Sequence, residues 1–183
     1  MIKYIMFLNI LLISSLFFIS SCKEYKAVDY LDVDKYVGKW FQVYKDNFNG
    51  LFQGKGTCST AEYHTIDNSK ISVFNKQLNK NNEYDSIKGY AYYKNDDCCG
   101  YLTVSLDGNP EAPYWVIELG PEVDNSYDYS IISDDKQLSL FVLTRNVERF
   151  YKNYDEQVLS SLNEFGFNKI YNNPTTMNQT NCN

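Results

Sequence analysis

Asp34-Lys35-Tyr36-Val37-Gly38-Lys39-Trp40-Phe41-Gln42-Val43-Tyr44 is the stretch on which the fold of this chain turns. Asp34 can cap a single helical turn, and Gly38 can take a backbone conformation closed to other residues. Trp40 then heads a strand-like run with polar residues at every second or third place. A turn, a glycine and a strand headed by an indole suit a plug at the end of a barrel. Gly-x-Trp alone is equally a turn before a core tryptophan, so its meaning depends on the rest of the chain.

Upstream, residues 1–21 hold one charge, Lys3, then an apolar run from Tyr4 to Phe18 and Ile19-Ser20-Ser21 before Cys22. This is the layout of a secretory signal peptide, and Asn9 and Ser14-Ser15 interrupt the run too early for a membrane-spanning helix. Ile-Ser-Ser-Cys also has the form of a bacterial lipoprotein signal, in which Cys22 becomes an acylated N-terminus. The other cysteines, Cys58, Cys98, Cys99 and Cys182, favour disulfides over metal ligation in an exported protein. Asn178-Gln179-Thr180 is a glycosylation sequon that matters only in a eukaryotic secretory pathway. A secreted protein is the expectation, and membrane association through Cys22 the alternative. The 183 residues suit one domain after the leader, spanning residues 22–183. Its dispersed net charge of −6 excludes an electrostatic nucleic-acid surface.

Downstream, Asn47-Phe48-Asn49-Gly50-Leu51-Phe52-Gln53-Gly54-Lys55-Gly56 reads as a long loop of the kind used for lids and binding. Thr57–Thr65 alternates with Ser59, Ala61 and Tyr63 on one face. Ile71, Val73, Asn75 and Gln77 share a face of the next run, across a turn at Asp67-Asn68-Ser69. Ile87, Gly89 and Ala91 form a small inward face that suggests room inside. Leu102, Val104 and Leu106 follow after Asn95-Asp96-Asp97. Runs at 114–119, 127–133 and 138–145 bring the series to about eight, which argues for an antiparallel barrel or sandwich. One helix is predicted, about Asp155 to Phe165, from Val158, Leu159, Leu162 and Phe165 at helical spacing with Gly166 to end it. Lys169-Ile170-Tyr171 reads as a short returning strand and 172–183 as an irregular tail.

Taken together these residues resemble the lipocalins. Asp34–Tyr44 is similar to that family's first block, Gly-x-Trp at the closed end of the barrel, and Phe141-Val142-Leu143-Thr144-Arg145-Asn146 is similar to its last. Gly56-Thr57-Cys58, the run 70–75, Ile87-Lys88-Gly89 and Ala112-Pro113-Tyr114-Trp115 resemble the apolipoprotein D-like and bacterial outer-membrane branches, over about residues 32 to 172. The resemblance implies an all-β, eight-stranded antiparallel up-and-down barrel with one C-terminal helix packed outside. It implies structural roles for Gly38, Trp40 and Arg145, the guanidinium lying on the indole for roughly 0.5–2 kcal/mol. Cysteines at matching places in its apolipoprotein D-like members imply a Cys58–Cys182 disulfide. The family's middle block is loosened here to Val123-Asp124-Asn125-Ser126-Tyr127-Asp128-Tyr129 behind an insertion at Gly120-Pro121-Glu122, which puts the closed-end loop, and any receptor contact there, in question.

A barrel of about eight strands holds one small ligand. With Trp40 and Arg145 setting the inward phase, alternation points Gln42, Tyr44, Tyr63, Asn75, Gln77, Val104 and Phe141 into the cavity and leaves Tyr114 and Tyr129 open. A mostly apolar wall with few polar groups suits a hydrophobic partner: a lipid, fatty acid, sterol, retinoid or tetrapyrrole. Catalysis has little to draw on. His64 is the sole histidine and reads as outward, Glu118 is a lone candidate inward acid, and Cys98-Cys99 reads as a turn disulfide or a pair reaching Cys22. No cofactor and no metal are expected; a receptor or dimer partner is left unidentified.

Overall fold

In the computed structural model residues 24–47, 56–93 and 99–182 are described. The leader, Cys22, most of the long loop, Cys98 and the turn at 95–97 lie outside the described residues. A single helical turn, α1 (Val33–Tyr36), precedes β1 (Gly38–Lys45). Its cap is Asp32, which accepts from the Asp34 amide at 3.1 Å; the expected cap, Asp34, is instead the acid of the first turn.

Each run of alternating residues then pairs with the next. β2 (Thr57–Asp67), β3 (Lys70–Leu78), β4 (Tyr84–Tyr93), β5 (Tyr101–Leu106) and β6 (Ala112–Leu119) follow β1 in an antiparallel meander. A small hairpin, β7 (Glu122–Val123) and β8 (Ser126–Tyr127), precedes β9 (Tyr129–Ser133) and β10 (Leu140–Thr144), and β10 pairs back onto β1. The result is a closed, eight-stranded antiparallel barrel. Turn chemistry sets the register: Asp67 Oδ1 accepts from the Ser69 amide, and Asn79 Oδ1 accepts from those of Asn81 and Glu83. The loosened middle block becomes the β7–β8 hairpin, with Asp124 and Asn125 both at positive φ, as a two-residue hairpin turn requires. Two outward aromatics carry lysines, Lys70 lying over Tyr90 at 4.2 Å and Lys76 over Tyr84 at 3.7 Å.

Two helices, not one, pack outside. α3 (Asp155–Glu164) matches the expected helix and buries Val158, Ser161 and Leu162, and Gly166 at φ +90 ends it. α2 (Val147–Asn153) precedes it without an amphipathic pattern, because only Phe150 is buried. It is held instead by Asn146, whose Oδ1 accepts from the Arg149 amide, and by the two-pronged pair of Arg149 with buried Asp128. A second core lies between these helices and the outer faces of β1, β6, β9 and β10.

The C-terminal segment corrects one expectation. Lys169-Ile170-Tyr171 forms a turn, with Ile170 92% exposed, and the returning strand is β11 (Thr175–Thr176). Apart from that two-residue strand the described tail has no regular structure, but it is tied down. β1 and β2 pair only as far as Phe41 and Thr60, and beyond that point β11 takes its place beside Tyr44 and Lys45. The Met177 amide donates to the Val43 carbonyl, and the Cys58 amide donates to that of Asn178. Gln179 Nε2 donates to the carbonyls of Gln42 and Ser59, both at 2.7 Å. Cys58 and Cys182 are disulfide-bonded across 124 residues.

For a loop of that length the chain-entropy model allows roughly 4–5 kcal/mol of stabilisation. Cys182→Ser is therefore expected to lower the urea midpoint clearly, by less than that full amount because the tail's hydrogen bonds remain. An unchanged midpoint would show that those bonds alone hold the tail.

Candidate ligand cavity

The closed end is built first. Gly38 sits at φ +99, and a Cβ there would come within 3.2 Å of Arg145 Nη1, so both backbone and space demand glycine. The tight chain reversal leaves carbonyls pointing at one spot, and the Arg145 guanidinium fills it. Nη1 donates to Lys39 O, Nη2 to the carbonyls of Lys35, Tyr36 and Val37, and Nε to that of Tyr127, at 2.8–3.3 Å. Its carbon lies 3.6 Å from the Trp40 ring centroid, and Trp40 Nε1 donates to Tyr36 O at 2.8 Å. Burial pushes the guanidinium pKa down to about 10, so it stays charged at neutral pH.

Above this plug lies a floor of tyrosines. The Tyr36 and Tyr63 rings stack 5.7 Å apart. The Tyr114 hydroxyl lies 2.8 Å from that of Tyr36 and 3.0 Å from that of Tyr63, and Tyr36 reaches Ser130 Oγ at 3.3 Å. Burial raises the Tyr36 pKa to about 12 and those of Tyr63 and Tyr114 further, so all three are neutral phenols.

The floor opens upward into a cavity of about 320 Å³. Gln42, Tyr63, Asn75, Gln77, Val104 and Phe141 line it, as alternation predicts. Tyr44 does not. β1 pairs Gln42 with Leu143 but Tyr44 with Val142, so Val43 is an extra residue in a bulge that turns everything after it. Tyr44 lies under the helices, its hydroxyl donating to Asp155 at 2.7 Å and its ring against Phe150 and Tyr151. A second irregularity, between Val116 and Glu118, turns Glu118 out as well, where it accepts from the Tyr129 hydroxyl at 2.8 Å. Of the two tyrosines left open, Tyr114 faces the cavity and Tyr129 the helices.

Of the small face on β4, Ile87 lines the cavity. An added Cβ on Gly89 would collide with the backbone of β5, and Ala91 is buried in the core. His64 is exposed beside Glu62. Cys99 is a free thiol among the described residues, which hold no cluster of His, Cys, Asp and Glu able to bind a metal. Sequence reasoning missed Tyr36 and Ser130 in the floor; the apolar ring just before the Gly38 turn was the signal available for Tyr36.

Residues 31–172 match the family described as a lipocalin-like domain. Mouse apolipoprotein D is 31% identical over 102 residues, 55% of this chain and 52% of that protein. The outer membrane lipoprotein Blc of Vibrio cholerae is 32% identical over 127 residues, 68% of this chain and 71% of that one. The chain thus spans about half the length of the apolipoprotein D it matches. Among solved structures, insecticyanin from the tobacco hornworm Manduca sexta superposes with a TM-score of 0.56 at 19% identity, over 79% of this chain and 80% of that one. Lobster apocrustacyanin A1 gives 0.56 at 15%, over 80% and 78%. At such identities the structures speak for the fold.

Because Arg145 satisfies several carbonyls and covers an indole, Arg145→Ala is expected to cost about 2–4 kcal/mol. Arg145→Lys should recover only part, since an ammonium cannot reproduce the planar fork. Urea midpoints of the two variants and the unmodified protein check this, and a lysine midpoint equal to that of the unmodified protein would mean that charge alone matters at the closed end.

Proposed function

Because this chain belongs to the lipocalin family, we propose that it is an exported, non-catalytic container that binds one small hydrophobic molecule in the barrel and carries it. The observation that carries this reading is the cavity itself, about 320 Å³, walled by residues such as Val73, Ile87, Val104, Ile132, Phe141 and Leu143 and stoppered below by the tyrosine floor. Its volume lies at the lower end of the roughly 300–1,000 Å³ typical of small-molecule sites, which favours a single-chain or compact ring ligand. A container is also what the wall chemistry supports. Its phenols are held neutral by burial, and its charged residues, among those described, are Lys76, drawn over Tyr84, and Asp85, which accepts from Asn79 Nδ2. Among the described residues no nucleophile stands beside a base in that arrangement.

A second reading concerns where the container works. Ile19-Ser20-Ser21-Cys22 and the similarity to a bacterial outer membrane lipoprotein both favour tethering through an acylated Cys22.

Val104→Trp places an indole in the cavity without disturbing the closed end. It is expected to weaken binding of a fluorescent fatty probe by about tenfold or more, with melting lowered only modestly. Equal probe affinity in both forms would put the binding site elsewhere. For the second reading, the intact mass of protein recovered from its own cells decides: added acyl mass on Cys22 supports a tether, and a free N-terminus supports secretion.

A further inference from the structure

The amide of Gln42 carries more information than its place in the wall. Gln42 stands on β1 just before the bulge, 1% exposed, with its side chain in the cavity lining. Its Nε2 donates to the Tyr44 carbonyl at 3.2 Å. Only the nitrogen of an amide can donate to a carbonyl, so this bond sets the amide's orientation and commits Oε1 as the free acceptor. That oxygen is buried and receives no hydrogen bond from a described residue. Two strands away on β3, Asn75 Oδ1 and Gln77 Oε1 are buried acceptors of the cavity wall in the same condition. Buried acceptors without donors are costly, and a ligand bringing an O–H or N–H removes the cost.

The other polar groups narrow the head group. Ser130, Tyr36, Tyr114 and Tyr63 form one hydroxyl chain, in which three hydrogen bonds use three of four protons. One hydroxyl of the chain therefore keeps a spare proton, and the floor is able to give or to accept. No such freedom exists for charge. The charged residues of the described wall are Lys76 and Asp85, the first held over Tyr84 and the second bonded to Asn79. Arg145 is committed to carbonyls beneath the floor. A carboxylate entering this wall loses its hydration and finds, among the described residues, no cation aimed at it.

We propose that the cavity selects neutral molecules whose polar head donates a hydrogen bond, an alcohol or an N–H amide, over carboxylates with the same apolar body, and that Gln42 Oε1 is the acceptor that reads the head. The inference rests on the container reading above and assigns its ligand class.

The test uses the full mature chain, the same fluorescent probe and three competitors of one length at neutral pH: 1-decanol, 1-methoxydecane and decanoate. Decanol is expected to displace the probe at concentrations about tenfold lower than either of the others. In Gln42→Leu the ratio of decanol to ether should fall towards one while the ether's own affinity holds within about twofold, and Gln42→Met gives the same reading should the leucine variant fail to fold. Ether or decanoate binding as tightly as decanol to the unmodified protein would overturn the inference and leave the container standing, as would a probe that none of the three displaces. A decanol preference that survives in both variants removes Gln42 from the role. A probe that does not bind at all sinks the container and the inference together.

Discussion

A tight turn into a barrel strand aims several carbonyls inward and gives them no strand partner, and one guanidinium answers all of them. Arg145 is the group on which the closed end depends: it donates to five backbone carbonyls and lies flat on Trp40. The pieces are mutually dependent. Gly38 must be glycine because Arg145 passes where a side chain would begin, and Trp40 is placed by its bond to the same Tyr36 carbonyl that Arg145 holds. Lysine could supply charge but not several donors in one plane, which is why this plug pairs a planar cation with a planar ring. Its desolvation is tolerated because the donors are matched by acceptors.

With the end fixed, strand periodicity decides what the ligand meets. A strand shows alternate residues to the cavity, so one additional residue exchanges the two faces. The bulge at Val43 sends Tyr44 to the helices while leaving Gln42 inward, and the irregularity at Ile117 does the same to Glu118. Both outward displacements serve the second core: the Tyr44 hydroxyl meets Asp155 at the start of α3, and Glu118 receives the Tyr129 hydroxyl. The barrel therefore shifts polar atoms from its cavity to its helix-facing side at two points, and the cavity keeps amides and phenols.

These two bulges also mark the limit of what the sequence makes legible. Gly38, Trp40, Arg145 and the inward phase of β2, β3 and β5 follow from alternation and a recognisable pair of end blocks, because each obeys a local rule. A bulge obeys none: Gln42-Val43-Tyr44 alternates as well with the insertion as without it, and only pairing with β10 shows where it lies. α2 was hidden for a related reason, since it is held by Asn146 and the Arg149–Asp128 pair rather than by an apolar stripe. Tyr114 stood open until its hydroxyl found Tyr36 and Tyr63, a contact between residues 78 and 51 positions away.

The tail shows why wall and cavity are best considered as one object. Where β1 bulges, β2 no longer follows it, and the pairing of the two strands ends at Phe41 and Thr60. Open sheet of this kind exposes unpaired backbone beside an apolar interior. The chain covers it with its own end: β11 extends the sheet beside Tyr44 and Lys45, and the Gln179 amide spans the carbonyls of Gln42 and Ser59 as a backbone strand would. The disulfide to Cys182 then holds the patch in place at the point where Cys58 itself departs from regular strand geometry, with φ 55. The same bulge that places the Gln42 carbonyl against Gln179 lets its side chain bond the Tyr44 carbonyl and leaves Oε1 buried without a hydrogen bond from a described residue. One inserted residue thus sets the need for the tail and the polarity of the wall, and the two cannot be varied independently.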